Sequence, residues 1–276
     1  MTQHRPPRRR YRAPGPLLQL LELRAGLEAG ASLALLPLWP LAPRGDGHPV
    51  LVIPGLAATD DSTTILRLFL ASLGHRPVPW GRGRNLGIRP GVLPGLRDLV
   101  RHLRDHHGRK VSVIGWSLGG IIARELAKEE PGAVRLVITL ASPFTGHPRA
   151  TNAFRLYEFM SGHRIGAPDL HEPLRFSPPV PTTSIWSRTD GVVSWRCSVE
   201  KPGAQVENIE VDASHLGMGA HPLVLYAIAD RLAQPEGGWK PFARTGWRAL
   251  AYGDASHKPK PGYGAAAHGE AARGKP

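Results

Sequence analysis

Apolar residues along the chain fall into two alternating patterns. Short, largely β-branched runs occur at Pro49–Gly55, Val111–Ile114, Val134–Leu140, Thr182–Trp186 and Val206–Val211, the continuous apolar signature of strands buried on both faces. Between them apolar residues return every three or four positions, the period of a helix with one buried face. These stretches are Thr63–Leu73, Val92–His107 (with Leu96, Leu99, Val100 and Leu103), Ile121–Ala127 and His221–Leu232. Asp60, Asp61 or Ser62 is placed to cap the first. Gly74–Pro90 is rich in Gly, Pro and Arg and receives no element, and Phe144–Pro181 has no strand pattern. Strands alternating with helices predict an α/β fold, a mostly parallel sheet with helices on both faces. Active sites in such sheets lie at the carboxyl ends of the strands.

One stretch joins the two patterns abruptly. Val111-Ser-Val-Ile114 runs into Gly115-Trp-Ser-Leu-Gly119, and helical spacing resumes at Ile121. Ser117 therefore sits at a strand-to-helix corner, the setting of a nucleophile elbow. So sharp a turn strains the serine backbone and needs neighbours with almost no side chain, which Gly115 and Gly119 supply; Gly120 gives the helix room against the sheet. The corner exposes the hydroxyl to a base, and the helix start aims free N–H groups at an oxyanion forming there.

Two further strand ends carry polar residues. Asp190 lies in an Asp-Gly turn just beyond Thr182–Trp186, and His215 lies beyond Val206–Val211. The order Ser117, Asp190, His215 is that of Ser-acid-His hydrolases built on such sheets. His215 is expected to take the serine proton and return it to the leaving group. Asp190 is expected to set the imidazole tautomer and stabilise the imidazolium; Asp169 and Asp212 are rival acids ranked below it. The oxyanion needs two backbone donors, assigned to Leu118 and to Leu56 in the loop after Pro49–Gly55. Trp116, Phe144 and Phe159 are candidate substrate-binding residues.

The ends differ from the middle. Residues 1–14 are basic and Pro-rich, and a disordered tail is expected there. Residues 15–47 form an N-terminal apolar helical segment in which Leu17, Leu20, Leu21, Leu27, Ala31 and Leu35 make a helix-like apolar face. This face is expected to pack on the domain; the alternative is an interfacial anchor, arginines on anionic headgroups and leucines in the acyl boundary, giving residues 1–42 a peripheral membrane contact. Arg5, Arg8, Arg9, Arg10 and Arg12 before Leu17–Leu23 imitate a signal peptide, but Glu22, Arg24 and Glu28 interrupt the apolar run and no cleavage site follows, so the segment is read as uncleaved. The α/β domain is assigned to 48–234. Residues 235–276 are a C-terminal extension, expected to be largely disordered, with 236–253 unassigned.

The formal net charge of +13 over 276 residues invites a nucleic-acid reading. It is set aside, because the basic residues concentrate in the tails and no zinc-finger spacing or basic-aromatic stripe occurs. Cys197 is the single cysteine, so no intramolecular disulfide forms. No apolar run reaches 18 residues, and no transmembrane helix is expected. His106-His107 lacks ligand partners at metal spacing, so no metal is expected. Gly81–Gly87 lacks the context of a phosphate cradle; Asn85 and Trp80 are expected to wall the active-site cleft instead.

Pro54-Gly55, Gly115–Gly119, Asp190-Gly-Val-Val193 and the turn at His215 together resemble the α/β-hydrolase superfamily, and more narrowly its bacterial lipase- and esterase-like members, over about residues 48–234. The resemblance implies a Ser-His-acid triad at Ser117, His215 and Asp190, no cofactor, and a cap-like insertion at 144–181. Two departures stand out: Pro54-Gly55 replaces the His-Gly pair common in lipases, and the secretion signal and disulfides of extracellular lipases are missing. The expected activity is a serine hydrolase acting on small-molecule or lipid esters through an acyl-enzyme. The alternatives are an acyltransferase with the same triad and a non-catalytic, membrane-associated binding protein on the same fold. The expected location is the cytoplasm, with membrane association as the variant.

Overall fold

The computed structural model describes residues 12–145, 150–152 and 173–253. Six strands, β1 (Pro49–Ile53), β2 (Arg76–Pro79), β3 (Val111–Trp116), β4 (Val134–Leu140), β5 (Thr182–Trp186) and β6 (Val206–Glu210), form one all-parallel sheet in the order β2-β1-β3-β4-β5-β6. The helices are α1 (Pro16–Leu20), α2 (Ala25–Ala34), α3 (Thr64–Ser72), α4 (Val92–His107), α5 (Leu118–Glu129), α6 (Pro222–Leu232) and α7 (Trp247–Ala251).

Side chains alternate across the pleat, so each inner strand feeds two cores. Val50, Val52, Ile114 and Ile138 pack with Leu66 and Phe69 of α3 and with Val224, Leu225 and Ile228 of α6. Leu51, Ile53, Val113 and Val137 pack with Leu96, Val100 and Leu103 of α4 and Ile122 and Leu126 of α5. Burial on both faces is why these strands read as unbroken apolar runs.

Several expectations change. β2 falls inside the stretch that received no element; Pro77 and Pro79 cannot donate to a ladder, and only an edge strand tolerates them. Asp60 does not cap α3. Its carboxylate accepts the N–H groups of Trp80 at 2.8 Å and Gly81 at 3.0 Å, and a short 3₁₀ turn over Asp60–Thr63 leads into the helix. Residues 235–253 are not a loose extension: Phe242 and Tyr252 are buried in the first core, and Gly253 N–H donates to the Glu210 carbonyl beside β6. The tail from 254 and most of residues 1–14 lie outside the described residues.

The N-terminal segment differs most. Trp39 packs edge-on to Phe69, ring centres 5.2 Å apart, but the leucines of α1 and α2 do not bury. Leu23 is 79% and Leu27 78% exposed, whereas Glu22, Glu28 and Ser32 are the buried residues. The segment docks by its polar face. No helix among the described residues is long and apolar enough to cross a membrane.

At the amino ends of the sheet His48 and His75 are buried, ring centres 4.9 Å apart. His48 Nδ1 lies 2.5 Å from Asp46 Oδ1 and Nε2 lies 2.7 Å from Ser112 Oγ. Burial lowers both imidazole pKa values, His75 to about 4. The unfolded chain then takes up protons that the folded chain refuses, so stability falls as the pH drops from 6.5 towards about 4. In urea titrations across this range, His75→Phe is expected to remove roughly 3 kcal/mol of that dependence; a slope equal to wild type would contradict the assignment.

Candidate active site

β3 ends at Trp116 and α5 starts at Leu118, with Ser117 alone between them. Ser117 takes φ +53°, ψ −118°, the left-handed half of backbone space that a side chain enters at a cost. Its N–H donates to the Leu140 carbonyl at 2.7 Å, and its carbonyl accepts from Gly120 N–H at 3.0 Å. The corner is backbone against backbone. A Cβ on Gly119 would strike the carbonyls of Ile53 and Pro54 at the end of β1, and one on Gly115 would strike the Gly119–Gly120 main chain.

Three loops at the carboxyl ends of the strands converge on Ser117. His215 Nε2 lies 3.1 Å from Ser117 Oγ, and His215 Nδ1 lies 2.8 Å from Asp190 Oδ2. Asp190 Oδ1 accepts the N–H groups of Val192 at 2.8 Å and Val193 at 2.7 Å, which fixes the carboxylate's rotation. Both side chains are buried. Burial pulls the His215 pKa down, but the charge and hydrogen bond of Asp190, with a contribution from Glu22, outweigh it and leave it above the ordinary value. Of the rival acids, Asp212 is exposed and Asp169 lies outside the described residues.

A Cβ on Gly55 would lie 3.5 Å from the Ser117 Cβ, so the loop after β1 runs beside the serine. In that loop the Ala57 N–H is engaged by the Asn85 carbonyl at 2.7 Å. Leu118 opens α5, so its N–H is among the first-turn donors with no intrahelical acceptor.

The remaining side-chain expectations fare unevenly. Trp116 is partly exposed, and its indole N–H donates to the His215 carbonyl at 3.1 Å, holding the histidine loop. Phe144 is 2% exposed with the Arg124 guanidinium 3.9 Å above its ring; it is packing, not an open wall of a cleft. Phe159 lies outside the described residues. Trp80 is buried with its indole N–H on the Gly83 carbonyl; the pocket it lines, with Val78, Arg82, Asp98 and His102, includes no residue of the Ser117 site. Asn85 is buried too: its side-chain amide donates to the Pro54 carbonyl at 2.7 Å, stapling the loop that carries Leu56.

Two residues beside the site had no signal in the sequence beyond being acids in an apolar stretch. Glu22 Oε1 accepts the N–H groups of Gly191 at 2.7 Å and His215 at 2.9 Å, and Oε2 that of Leu216 at 2.8 Å. Glu28 accepts from Ser214 N–H at 2.9 Å and from its hydroxyl at 2.5 Å.

Among the described residues one trio could bring metal ligands together: Asp46, His48 and His75. It lies at the amino ends of the strands, opposite Ser117. Asp46 pairs with Arg135 and Arg109 and both His48 nitrogens are hydrogen-bonded, whereas the two ring nitrogens of His75 are buried without a hydrogen-bond partner.

A family model described as the PGAP1-like alpha/beta domain matches residues 96–164, which run from within α4 through the Ser117 corner and β4. A curated relative, the pimeloyl-[acyl-carrier protein] methyl ester esterase of Proteus mirabilis, is 33% identical over 105 residues, 38% of this chain and 40% of that protein. The chain thus aligns with less than half of that relative's length. Among solved structures, Aspergillus fumigatus lipase B superposes with a TM-score of 0.52 at 19% identity, over 70% of this chain and 54% of that one. A monoacylglycerol lipase of Paleococcus ferrophilus superposes with a TM-score of 0.50 at 14% identity, over 69% and 96%. The chain has the α/β-hydrolase fold.

The packing at the corner predicts its own sensitivity. Gly119→Ala is expected to lower stability by about 2–3 kcal/mol in chemical denaturation, because the new methyl meets main-chain carbonyls that cannot move aside. A loss under 0.5 kcal/mol would show that the turn has slack.

Proposed function

We propose that the chain is a serine hydrolase that cleaves carboxylic esters through an acyl-enzyme. The observation that carries this reading is the hydrogen-bonded file Asp190–His215–Ser117 at the carboxyl ends of the strands. In it the Ser117 hydroxyl attacks the ester carbonyl while His215 Nε2 takes its proton. The N–H groups of Leu56 and Leu118 donate to the carbonyl oxygen as negative charge develops on it. As the tetrahedral adduct collapses, His215 returns the proton to the leaving alkoxide and the acyl group stays on Ser117. Water, deprotonated by His215, then repeats the sequence and releases the acid. Asp190 keeps the Nδ1 proton in place and offsets the imidazolium charge in each half-reaction. No cofactor enters any step. Trp116 stands at the edge of the acyl site.

His215 works as a base only when neutral. Its raised pKa places the acid limb of the kcat/KM profile above the 6.5 of an ordinary imidazole. Turnover of a short p-nitrophenyl ester is expected to fall as the pH is lowered through that point. Ser117→Ala is expected to abolish turnover and labelling by a fluorophosphonate, with the melting temperature retained. Turnover at the wild-type rate in Ser117→Ala would refute the reading.

A further inference from the structure

The first forty-odd residues are two-faced in an unusual sense. In residues 12–45 the only acidic residues are Glu22 and Glu28; both are buried, and their carboxylates are occupied by backbone N–H groups of the catalytic loops. What remains outward is leucine and arginine. Leu17, Leu20, Leu23, Leu27, Leu38 and Leu41 are all exposed by more than half, while Arg12 and Arg44 are exposed; Arg24 is turned onto Glu28 and Thr189. Ahead of them residues 1–11 add Arg5, Arg8, Arg9 and Arg10 and no acid. Leu216, beside His215 and with its N–H on Glu22, is itself 58% exposed, so the histidine loop adds an open apolar side chain where the strap is tied to it.

We propose that this face docks on an anionic lipid surface, leucines in the acyl boundary and arginines among the headgroups. Nucleic acid fits the arginines but not the leucines, and an uncharged protein patch fits the leucines but not the arginines. Docking by this face brings the Ser117 mouth to the lipid, and so deepens the esterase reading, on which it rests for taking the substrate to be a lipid ester.

The test uses the full chain carrying Ser117→Ala, so that binding is read without turnover and survives or fails apart from the chemistry. Co-sedimentation with phosphatidylglycerol-containing vesicles is expected to be at least about tenfold stronger than with phosphatidylcholine alone and to weaken with salt. Adding Leu23→Asp and Leu27→Asp is expected to weaken it by at least about tenfold; these side chains are open to solvent, so the melting temperature should hold. Vesicle binding that is absent, or unchanged in the aspartate variant, overturns the proposal. So does a wild-type dimer in sedimentation equilibrium that the same variant makes monomeric while vesicle binding is unchanged, which would make the face a contact between copies.

A different observation carries a second inference. Glu22 ties together the acid loop and the histidine loop: its carboxylate holds the N–H groups of Gly191, next to Asp190, and of His215 and Leu216. Gly191 has no side chain because the Leu18 backbone lies where a Cβ would be. We infer that Glu22 is a positioning residue for His215. The charged groups around it are Asp190 on the acid loop and Glu28 and Arg24 on the strap, the last two ion-paired at 3.0 Å.

Glu22→Gln keeps the size but removes the charge and turns an N–H₂ towards at least one of three donors. It is expected to lower kcat by about tenfold or more with little change in KM and to move the His215 titration, followed by imidazole NMR, to lower pH. Glu22→Asp, shorter but charged, should retain more of the wild-type titration and serves if the glutamine variant does not fold. A His215 titration equal to wild type in both variants overturns the inference, whatever happens to their melting temperatures. The titration is independent of turnover, so failure of the esterase reading would leave this result standing.

Discussion

The structure depends on one backbone-on-backbone contact, where the Gly115–Gly120 corner rests on the carbonyl end of β1. Ser117 sits at φ +53°, a conformation costing of order 1–3 kcal/mol that persists only where the surroundings over-determine it. Here they do. The sheet fixes one end through the Ser117–Leu140 hydrogen bond, and the apolar face of α5 fixes the other in the second core. The same contact sets the loop after β1 beside the Ser117 Cβ. The serine and its neighbouring amides are therefore placed by the packing of the domain and not by the loops' own preferences.

The loops opposite are held on another principle. Loop backbone N–H groups that are buried must find acceptors, and Asp190, Glu22 and Glu28 supply them with carboxylates. A buried carboxylate is costly unless several donors surround it, so the acids and the orphan amides solve each other's problem. This explains why residues 15–34 turn their polar side inward. The partner surface is not a patch of side-chain methyls but the main chain of the acid and histidine loops, and the leucines are left outside by default. Negative charge gathers around His215 as a by-product, and it acts on the imidazole in the same direction as Asp190.

What the sequence reveals follows this division. β1, β3, β4, β5, α4 and the corner at Ser117 are legible because they bury apolar side chains, and periodicity reports that burial. The order and strand-end positions of Asp190 and His215 anticipate that their side chains meet beside Ser117. β2 is not legible, since Pro77 and Pro79 survive there only because the strand is an edge, a property of the assembled sheet. The N-terminal face is misread because a helical period says which residues share a side but not which side faces inward when the partner is polar. Asn85, Glu22 and Glu28 work through backbone groups remote in sequence, and nothing local marks them. Phe242 and Tyr252 are single aromatics in an aperiodic stretch, so their burial leaves no pattern.

The far side of α5 shows the same use of charge without catalysis. Arg124 is buried on this helix, paired with Glu200, and donates to the carbonyls of Leu174 at 3.2 Å and Phe176 at 3.1 Å. Burial pushes its pKa down to about 10, still far above neutral, so the side chain stays charged. Glu200 in turn accepts from Ser177 at 2.8 Å, and its backbone N–H meets Asn208 of β6 at 2.8 Å. A hydrophobic pair could fill the same volume with less desolvation cost, but it could not hold two carbonyls of an irregular segment in register. Both segments whose apolar pattern does not place them, the N-terminal strap and the stretch before β5, are thus fastened by buried ions: one to the loops that carry Asp190 and His215, the other to the helix that follows Ser117. Packing builds the frame, and paired charges tie to it those parts of the chain that packing alone would leave loose.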